Sequence, residues 1–245
     1  MRSLSASQLM EVWEQGANEH PVDRVLTLLS ACCEETRPEL AALSIGRRDA
    51  RLLEVHERLF GPALEAFAQC PQCGERLEYR LLTRELVVPL PEMAQPIVVE
   101  TGKTCLRLRL PNSLDLRAAS ECPELDIARK LLLERCVIEC EGQPGMTVED
   151  LPESTIEQIA SCLAHADPQA ETLIDLTCCA CRHSWQVLLD IEVFLWAKVS
   201  AMARRLLQEV HALARVYGWR EQDILALSAV RRQAYLEMAG SWPTS

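Results

Sequence analysis

Residues 70–80 read CPQCGERLEYR, and residues 177–185 read TCCACRHSW. Each stretch holds two cysteines that are separated by two residues: Cys70, Cys73, Cys178 and Cys181. The flanking residues alternate between polar and apolar side chains, which predicts that each pair lies at the tip of a β-hairpin. Two such turns supply the four thiolates of a tetrahedral metal site, so we predict a structural Zn²⁺ bound by all four cysteines.

The second turn differs from the first at two positions. Gly74 follows the first pair, where the backbone commonly needs a positive φ that glycine adopts without steric cost. Arg182 stands at the matching position of the second turn, and Cys179 replaces the proline of the first turn. Either Cys179 or His183 therefore remains open as a substitute metal ligand.

The spacing of the two turns leaves other interpretations open. The 104 residues between Cys73 and Cys178 exceed the separation found in most zinc ribbons. The four cysteines can also be read as half-buried free thiols, because free cysteine is a common core residue. A redox pair is disfavoured, because reactive CxxC pairs sit at helix N-termini and strand signals surround both pairs here.

The hydrophobic periodicity predicts an α+β protein that is predominantly helical, with a small antiparallel β subdomain of the zinc-ribbon type. Ser5 or Ser7 is expected to cap the first helix, and Pro21 to start the second. We predict five sections of one compact unit: an N-terminal helical region at 1–63, a first knuckle hairpin and β-rich section at 64–112, a helical insertion at 113–168, a second knuckle hairpin at 169–190, and a long helix with a helical tail at 191–245.

The composition restricts the choice of partners and compartment. The 245 residues carry a formal net charge of −11, so binding to nucleic acid is not expected. We expect no membrane span, because no stretch approaches the roughly 18 to 20 apolar residues that a span requires. The first residues lack the apolar core of a signal peptide, and twelve cysteines without that signal predict a reducing compartment, the cytoplasm.

No catalytic motif is present, and we predict that the protein is not an enzyme. The chain has no G-x-S-x-G, no H-E-x-x-H and no glycine-rich phosphate loop. A catalytic zinc keeps one coordination position open, whereas four thiols close the site.

The segment 191–217 has the pattern of one long helix with two adjacent apolar stripes. Such a wide face predicts a core helix, and His211 in the second stripe is interpreted as a packed histidine. The alternative is that part of this face docks on a partner protein.

Several stretches, in the same order, resemble the family of T-even-type phage baseplate hub assembly proteins. They are the helix GRRDARLL…LFG at 46–61, the two cysteine turns, LPNSLDL at 110–116, and YGW…ILALS..RR..YL between Tyr217 and Leu236. Members of this family occur in contractile-tail phages and in bacterial contractile injection systems. The resemblance implies a non-enzymatic assembly or scaffold role, with baseplate hub, spike or wedge proteins as partners. A zinc-ribbon adaptor in transcription or RNA metabolism is the alternative, against which the negative charge argues.

Overall fold

The computed structural model describes residues 1–89, 96–101, 104–141 and 151–240. Within these ranges the chain is mostly helical and carries small antiparallel sheets, which confirms the α+β prediction at that level. The chain divides into two compact units. The terminal unit joins Met1–Glu34 to Glu192–Ser245, and the central unit comprises Glu35–Ile191.

The helices, in chain order, are α1 (Ala6–Gly16), α2 (Pro21–Cys32), α3 (Arg37–Ala42), α4 (Ile45–Phe60), α5 (Thr83–Leu86), α6 (Ser113–Ala119), α7 (Leu125–Cys136), α8 (Glu153–Ala166), α9 (Ile191–Tyr217), α10 (Glu221–Leu225) and α11 (Ala229–Gly240). The strands are β1 (Ala63–Gln69), β2 (Arg76–Leu82), β3 (Ile97–Thr101), β4 (Thr104–Leu108), β5 (Val137–Glu141), β6 (Leu173–Thr177) and β7 (Ser184–Leu188). They pair as β1–β2, β3–β4–β5 and β6–β7, and all pairs are antiparallel. No helix in the described part of the chain has the length and apolar composition needed to cross a membrane.

The predicted starts of the first two helices are confirmed. The Ser5 hydroxyl accepts a hydrogen bond from the backbone N–H of Gln8 at 3.2 Å, and the Gln8 side chain accepts one from the N–H of Ser5 at 3.0 Å. This reciprocal pair satisfies two of the backbone donors that a helix N-terminus leaves unpaired. Pro21 occupies the first turn of α2, where its missing N–H costs nothing.

The terminal unit is built around α9, which buries Leu195, Val199, Leu206 and Leu213 of its first predicted apolar stripe and, from the second stripe, Ala203. Ala203 and Leu206 pack with Leu9 and Met10 of α1 and with Leu225 of α10. The second stripe is only partly covered, and His211 is exposed, so its interpretation as a packed histidine was wrong. Periodicity defines which side chains share a face, but the width of the covered area depends on the neighbouring helices.

Three aromatic rings hold the end of α9 beside α11. Gly218 follows α9 with a φ of +70°, the left-handed conformation that commonly ends a helix. The rings of Tyr217 and Trp219 stack with centroids 4.7 Å apart, and Tyr235 of α11 meets Trp219 edge-on at 4.8 Å. These contacts fix the two helices as neighbours, and they account for the aromatic residues of the YGW pattern.

In the central unit, the start of α4 is held by a residue from the far end of the 113–168 section. The carboxylate of Asp167 accepts a hydrogen bond from the backbone N–H of Gly46 at 2.8 Å. A Cβ atom at position 46 would lie 2.1 Å from an oxygen of Asp167, so only glycine allows this approach. The negative charge also faces the positive end of the helix dipole.

Residues 137–141 form a strand inside the section that was predicted to be helical. β5 adds to β4, with Leu106 paired to Cys140, and completes a three-stranded sheet. The sheet and α8 enclose a buried apolar cluster of Val99, Leu106, Leu108, Leu133, Leu151, Ile156 and Ile159. Pairing with a distant strand thus overrides the helical pattern that precedes Val137.

The LPNSLDL segment forms a buried ionic node. Asp115 is fully buried and accepts two hydrogen bonds from the guanidinium of Arg109, at 2.5 and 2.9 Å. Arg135 donates a further bond at 2.8 Å, and the backbone N–H of Asn112 donates one at 3.0 Å. Burial by itself would raise the pKa of the Asp115 carboxyl, but these donors outweigh it and lower the pKa below its ordinary value.

We expect Asp115→Asn to lower the free energy of unfolding at pH 7 by about 2–4 kcal/mol, because two guanidinium groups lose a buried carboxylate. The folded-state pKa of Asp115 is depressed. Its contribution is therefore complete above the unfolded pKa of about 3.9 and is lost as the pH falls through the folded pKa. Urea unfolding at pH 7 and under increasingly acidic conditions measures both effects.

The matched control is Glu121→Gln, which removes an exposed partner of Arg117. Surface pairs of this kind contribute little, so this variant is expected to stay within about 0.5 kcal/mol of the parent. A cost for Asp115→Asn that is equally small, or that persists in acid, would contradict the buried-node interpretation.

Candidate metal centre

Two hairpins present the four predicted cysteines at their tips. The β1–β2 register ends at the pair Gln69–Arg76, and the β6–β7 register ends at Thr177–Ser184. Each hairpin therefore closes around one CxxC turn, as the alternating pattern predicted. The sulfur atoms of Cys70, Cys73, Cys178 and Cys181 all lie within 4.8 Å of one another.

The separations between sulfur atoms fit a shared metal ion. The Sγ atoms of Cys70 and Cys181 are 3.6 Å apart, as are those of Cys73 and Cys178. Both contacts join one hairpin to the other. A tetrahedron with zinc–sulfur bonds of about 2.3 Å has edges of ~3.8 Å, close to these distances. All four cysteines are free thiols, and the donor set of four sulfurs suits zinc in a closed structural site.

The two turns have the same backbone hydrogen bonds despite their different sequences. The N–H of Cys70 donates to the carbonyl of Glu75 at 2.8 Å, and the N–H of Cys178 donates to the carbonyl of His183 at 2.8 Å. A second hydrogen bond closes each turn. The N–H of Gly74 donates to the carbonyl of Cys70 at 2.9 Å, and the N–H of Arg182 donates to the carbonyl of Cys178 at 3.0 Å. The second turn therefore reproduces the first.

Arg182 adopts the conformation that glycine provides in the first turn. Its φ is +64°, compared with +77° at Gly74, and it has the only positive φ among the described non-glycine residues. An L-residue with a side chain reaches this region at a cost of roughly 1–2 kcal/mol. A strained backbone at the second turn thus maintains the geometry of the pair.

The local electrostatics lower the pKa of the Cys178 thiol and raise the pKa values of the Cys73 and Cys181 thiols. Backbone N–H groups, chiefly that of Cys181, lower the pKa of the Cys178 thiol to about 7. The N–H of Glu75 also favours the Cys73 thiolate, but the neighbouring thiols, chiefly that of Cys181, outweigh it and raise the pKa of Cys73 to about 12. Four thiolates at these distances would require a cation to balance their charge, and a divalent metal would supply it.

The residues considered as substitute ligands lie outside the four-sulfur cluster. Cys179 is exposed, and the ring of His183 stacks beside that of Trp185, with centroids 6.0 Å apart. Among the described residues, the remaining cysteines form no second metal-type cluster. Of these, Cys136 is buried at the end of α7, and Cys140 is exposed on β5.

Two glutamines at the first turn were not predicted. The Gln69 side chain donates a hydrogen bond to the carbonyl of Gly74 at 3.0 Å, which braces the turn from within its own hairpin. The Gln72 side-chain oxygen lies 3.9 Å from the sulfur of Cys181, across the two hairpins. In the sequence, only the position of Gln72 inside the CxxC turn indicates that it lies near the sulfur cluster. The spacing does not indicate that it faces Cys181 of the other hairpin.

Purified protein is expected to contain about one zinc ion per chain, because four thiolates complete one tetrahedral site. Cys178→Ser should lower the zinc content and the melting temperature, and a strong chelator should lower the melting temperature of the parent protein. Elemental analysis and thermal unfolding provide the readouts. Cys140→Ser, at an exposed cysteine outside the cluster, is the control, and its zinc content and melting temperature should equal those of the parent protein. Equal zinc content in the two variants would contradict the assignment.

Replacing Arg182 should reveal the backbone requirement of the second turn. We expect Arg182→Gly to leave stability unchanged or to raise it by up to about 1 kcal/mol, and Arg182→Val to lower it by about 1–2 kcal/mol. Urea unfolding of the zinc-loaded protein measures the difference.

The same two substitutions at Arg80 are the control, because Arg80 is exposed on β2 and has no positive φ. There the order should reverse, with valine tolerated and glycine destabilising. If glycine lowers the free energy of unfolding as much at position 182 as at position 80, the second turn does not require a positive φ at Arg182.

A family model described as T4 bacteriophage base plate protein matches residues 5–196 of the chain. The matched region contains all four clustered cysteines, α4 and the LPNSLDL segment. No curated protein and no solved structure matches the chain. The match covers well over half of the residues and confirms the resemblance to T-even-type baseplate proteins. The chain therefore belongs to the T4 bacteriophage base plate protein family.

Proposed function

We propose that the protein is a non-enzymatic assembly or scaffold protein for the baseplate hub of a phage-tail-like contractile injection system. The observation that carries this proposal is the family match over residues 5–196. The protein acts in the bacterial cytosol, where baseplates are built, either as a chaperone or as a component of the particle. Its partners are other baseplate proteins of the hub, the spike or the wedge.

The cluster of four sulfurs supports a mechanical role. If zinc binds all four thiolates, no coordination position remains for water or substrate, so the metal has no Lewis-acid task. What the ion supplies is a cross-link between a turn at residue 70 and a turn at residue 180. Together the two hairpins then form a zinc-ribbon-like lobe in which the two turns are held at a fixed distance from each other.

The hairpin surface supports protein binding. Phe67 projects from β1 with 64% of its side chain exposed, and the guanidinium of Arg76 lies over its ring at 4.2 Å. These two residues and Tyr79 line an open crevice of about 430 Å³ on the β1–β2 hairpin. An exposed aromatic ring in a crevice with charged rims is typical of surfaces that bind other proteins.

The proposal is tested by deleting the gene in a strain that produces the contractile particle. Without the protein, sheath and tube proteins should accumulate without assembled particles, as judged by sedimentation and electron microscopy. The parent gene and the Cys140→Ser variant should restore assembly, whereas Cys178→Ser should not, because it removes a metal ligand. Particles that form normally in the deletion strain would overturn the proposed role.

The same particle preparation distinguishes a structural component of the baseplate from an assembly chaperone. A structural component should co-sediment with purified mature particles in a fixed ratio to the tube protein. A chaperone should be found only in fractions that contain unassembled hub proteins. Either result is compatible with assembly, and the first would place the protein in the finished baseplate.

A further inference from the structure

The β1–β2 hairpin is a sheet of only two strands, so each strand is also an edge. Of the elements that the structure describes, only β2 makes extensive contacts with β1. An edge strand without a neighbour presents backbone N–H and C=O groups that no other strand satisfies. The side of β1 that faces away from β2, its outer edge, is therefore a candidate binding surface.

The hydrogen bonds at the two ends of the hairpin establish which residues of β1 face outward. The N–H of Cys70 donates to the carbonyl of Glu75, and at the opposite end the N–H of Thr83 donates to the carbonyl of Pro62. In an antiparallel pair, hydrogen-bonded and non-hydrogen-bonded residue pairs alternate. Both ends give the same alternation, so the even-numbered residues of β1 bond to β2. The odd-numbered residues direct their backbone groups away from β2.

Three outward-facing residues, Glu65, Phe67 and Gln69, form a row along the outer edge of β1. Their side chains are exposed, and none of the hydrogen bonds in the described part of the chain satisfies their backbone groups. Pairs of donors and acceptors thus recur at every second residue, about 6.8 Å apart along the strand. The backbone of another extended strand repeats at the same spacing, so a strand is the ligand that this row fits.

Phe67 adds an apolar anchor to the row of backbone groups. Its side chain is 64% exposed, and the guanidinium of Arg76 lies over the ring at 4.2 Å. The ring also borders the crevice of about 430 Å³ that Ala66 and Tyr79 help to line. When a strand is added to a sheet, contacts with alternate side chains select the partner. An apolar or aromatic side chain of the added strand would fit against Phe67.

The outer edge of β1 suits strand addition better than the other sheet edges of the described structure. β1 has seven residues and a single charged one, Glu65. β2 is equally long but carries Arg76, Glu78 and Arg80 at its outward positions, and charged side chains protect sheet edges from pairing. The remaining edge strands, β3, β5, β6 and β7, have five residues each.

We propose that the outer edge of β1 binds an extended strand of another baseplate protein, which becomes the third strand of this sheet and packs an apolar or aromatic side chain against Phe67. The inference rests on the proposed baseplate role and specifies the form of the partner segment. A third strand supplies the support that a two-stranded hairpin lacks. A second copy of the chain is a less favourable occupant, because two chains of net charge −11 repel each other.

A proline substitution tests the backbone bonds. Glu65→Pro removes one outward N–H and leaves the hydrogen bonds between β1 and β2 in place, and proline is tolerated on an edge strand where its nitrogen faces solvent. The matched control, Glu65→Ala, removes the same carboxylate but keeps the N–H. In the deletion strain, Glu65→Ala should restore particles as well as the parent gene does. Glu65→Pro should lower the particle yield several-fold, because the added strand loses a hydrogen bond and meets the proline ring.

Zinc content and the melting temperature of the full-length variants verify that they are folded. Ala66→Pro removes an N–H that bonds to β2, so it should lower the melting temperature more than Glu65→Pro does. If Glu65→Pro does not fold, Phe67→Ala tests the apolar anchor. It should lower the particle yield and keep the melting temperature near that of the parent, because the side chain is mostly exposed.

Amide hydrogen exchange locates the contact without any substitution. In the free full-length protein, the N–H groups of Glu65, Phe67 and Gln69 should exchange faster than those of the residues between them. In protein isolated together with baseplate proteins, exchange at the same three positions should slow by at least about tenfold, because the added strand protects them. Mass spectrometry with fragmentation to single residues measures both states.

Two results would contradict strand addition at β1. One is a folded Glu65→Pro variant that restores particles as well as Glu65→Ala, and the other is unchanged exchange at the three outward amides in the complex. A dimer of the free protein that Glu65→Pro dissociates would identify a second copy as the occupant and would also overturn the proposal. These outcomes leave the baseplate role standing. Normal particles in the deletion strain would instead contradict that role, and with it the identity of the partner.

Discussion

The convergence of four sulfur atoms from two distant hairpins is the constraint on which the central unit depends. β1–β2 and β6–β7 are each two-stranded, and an isolated two-stranded hairpin is marginally stable in water. Joining their tips closes a loop of more than a hundred residues. The cost of that closure grows only slowly with loop length, so a single strong cross-link can sustain it. Metal binding at this site would then contribute directly to folding.

The cluster does not act alone, because two further contacts join the same parts of the chain. Asp167 caps α4 through the N–H of Gly46, and the Gln169 side chain accepts a hydrogen bond from the backbone N–H of Val88 at 2.8 Å. Both acceptors lie in the segment between α8 and β6, and the donors lie in the first turn of α4 and just after α5. The intervening section, with its buried Asp115 node and three-stranded sheet, is therefore anchored at both ends.

Local signals in the sequence predicted much of this arrangement, and long-range effects explain the rest. Ser5 and Pro21 mark helix starts, because capping depends on a few adjacent residues. The cysteine spacing predicted which four sulfurs cluster, because geometry within a turn fixes the positions of the sulfurs. β5 was missed, because its five residues follow a helix and their pairing partner lies thirty residues away. The left-handed conformation of Arg182 was not predicted, because an arginine rarely adopts a positive φ and only the match to Gly74 marked the position.

The family match over residues 5–196 covers the central unit together with α1 and α2 of the terminal unit, and it ends within the second turn of α9. The four clustered thiols inside that region suit a structural metal site rather than a catalytic one. A metal bound there would fix the two hairpin tips relative to each other, whereas an open groove between α9 and α11 lies beyond the matched region.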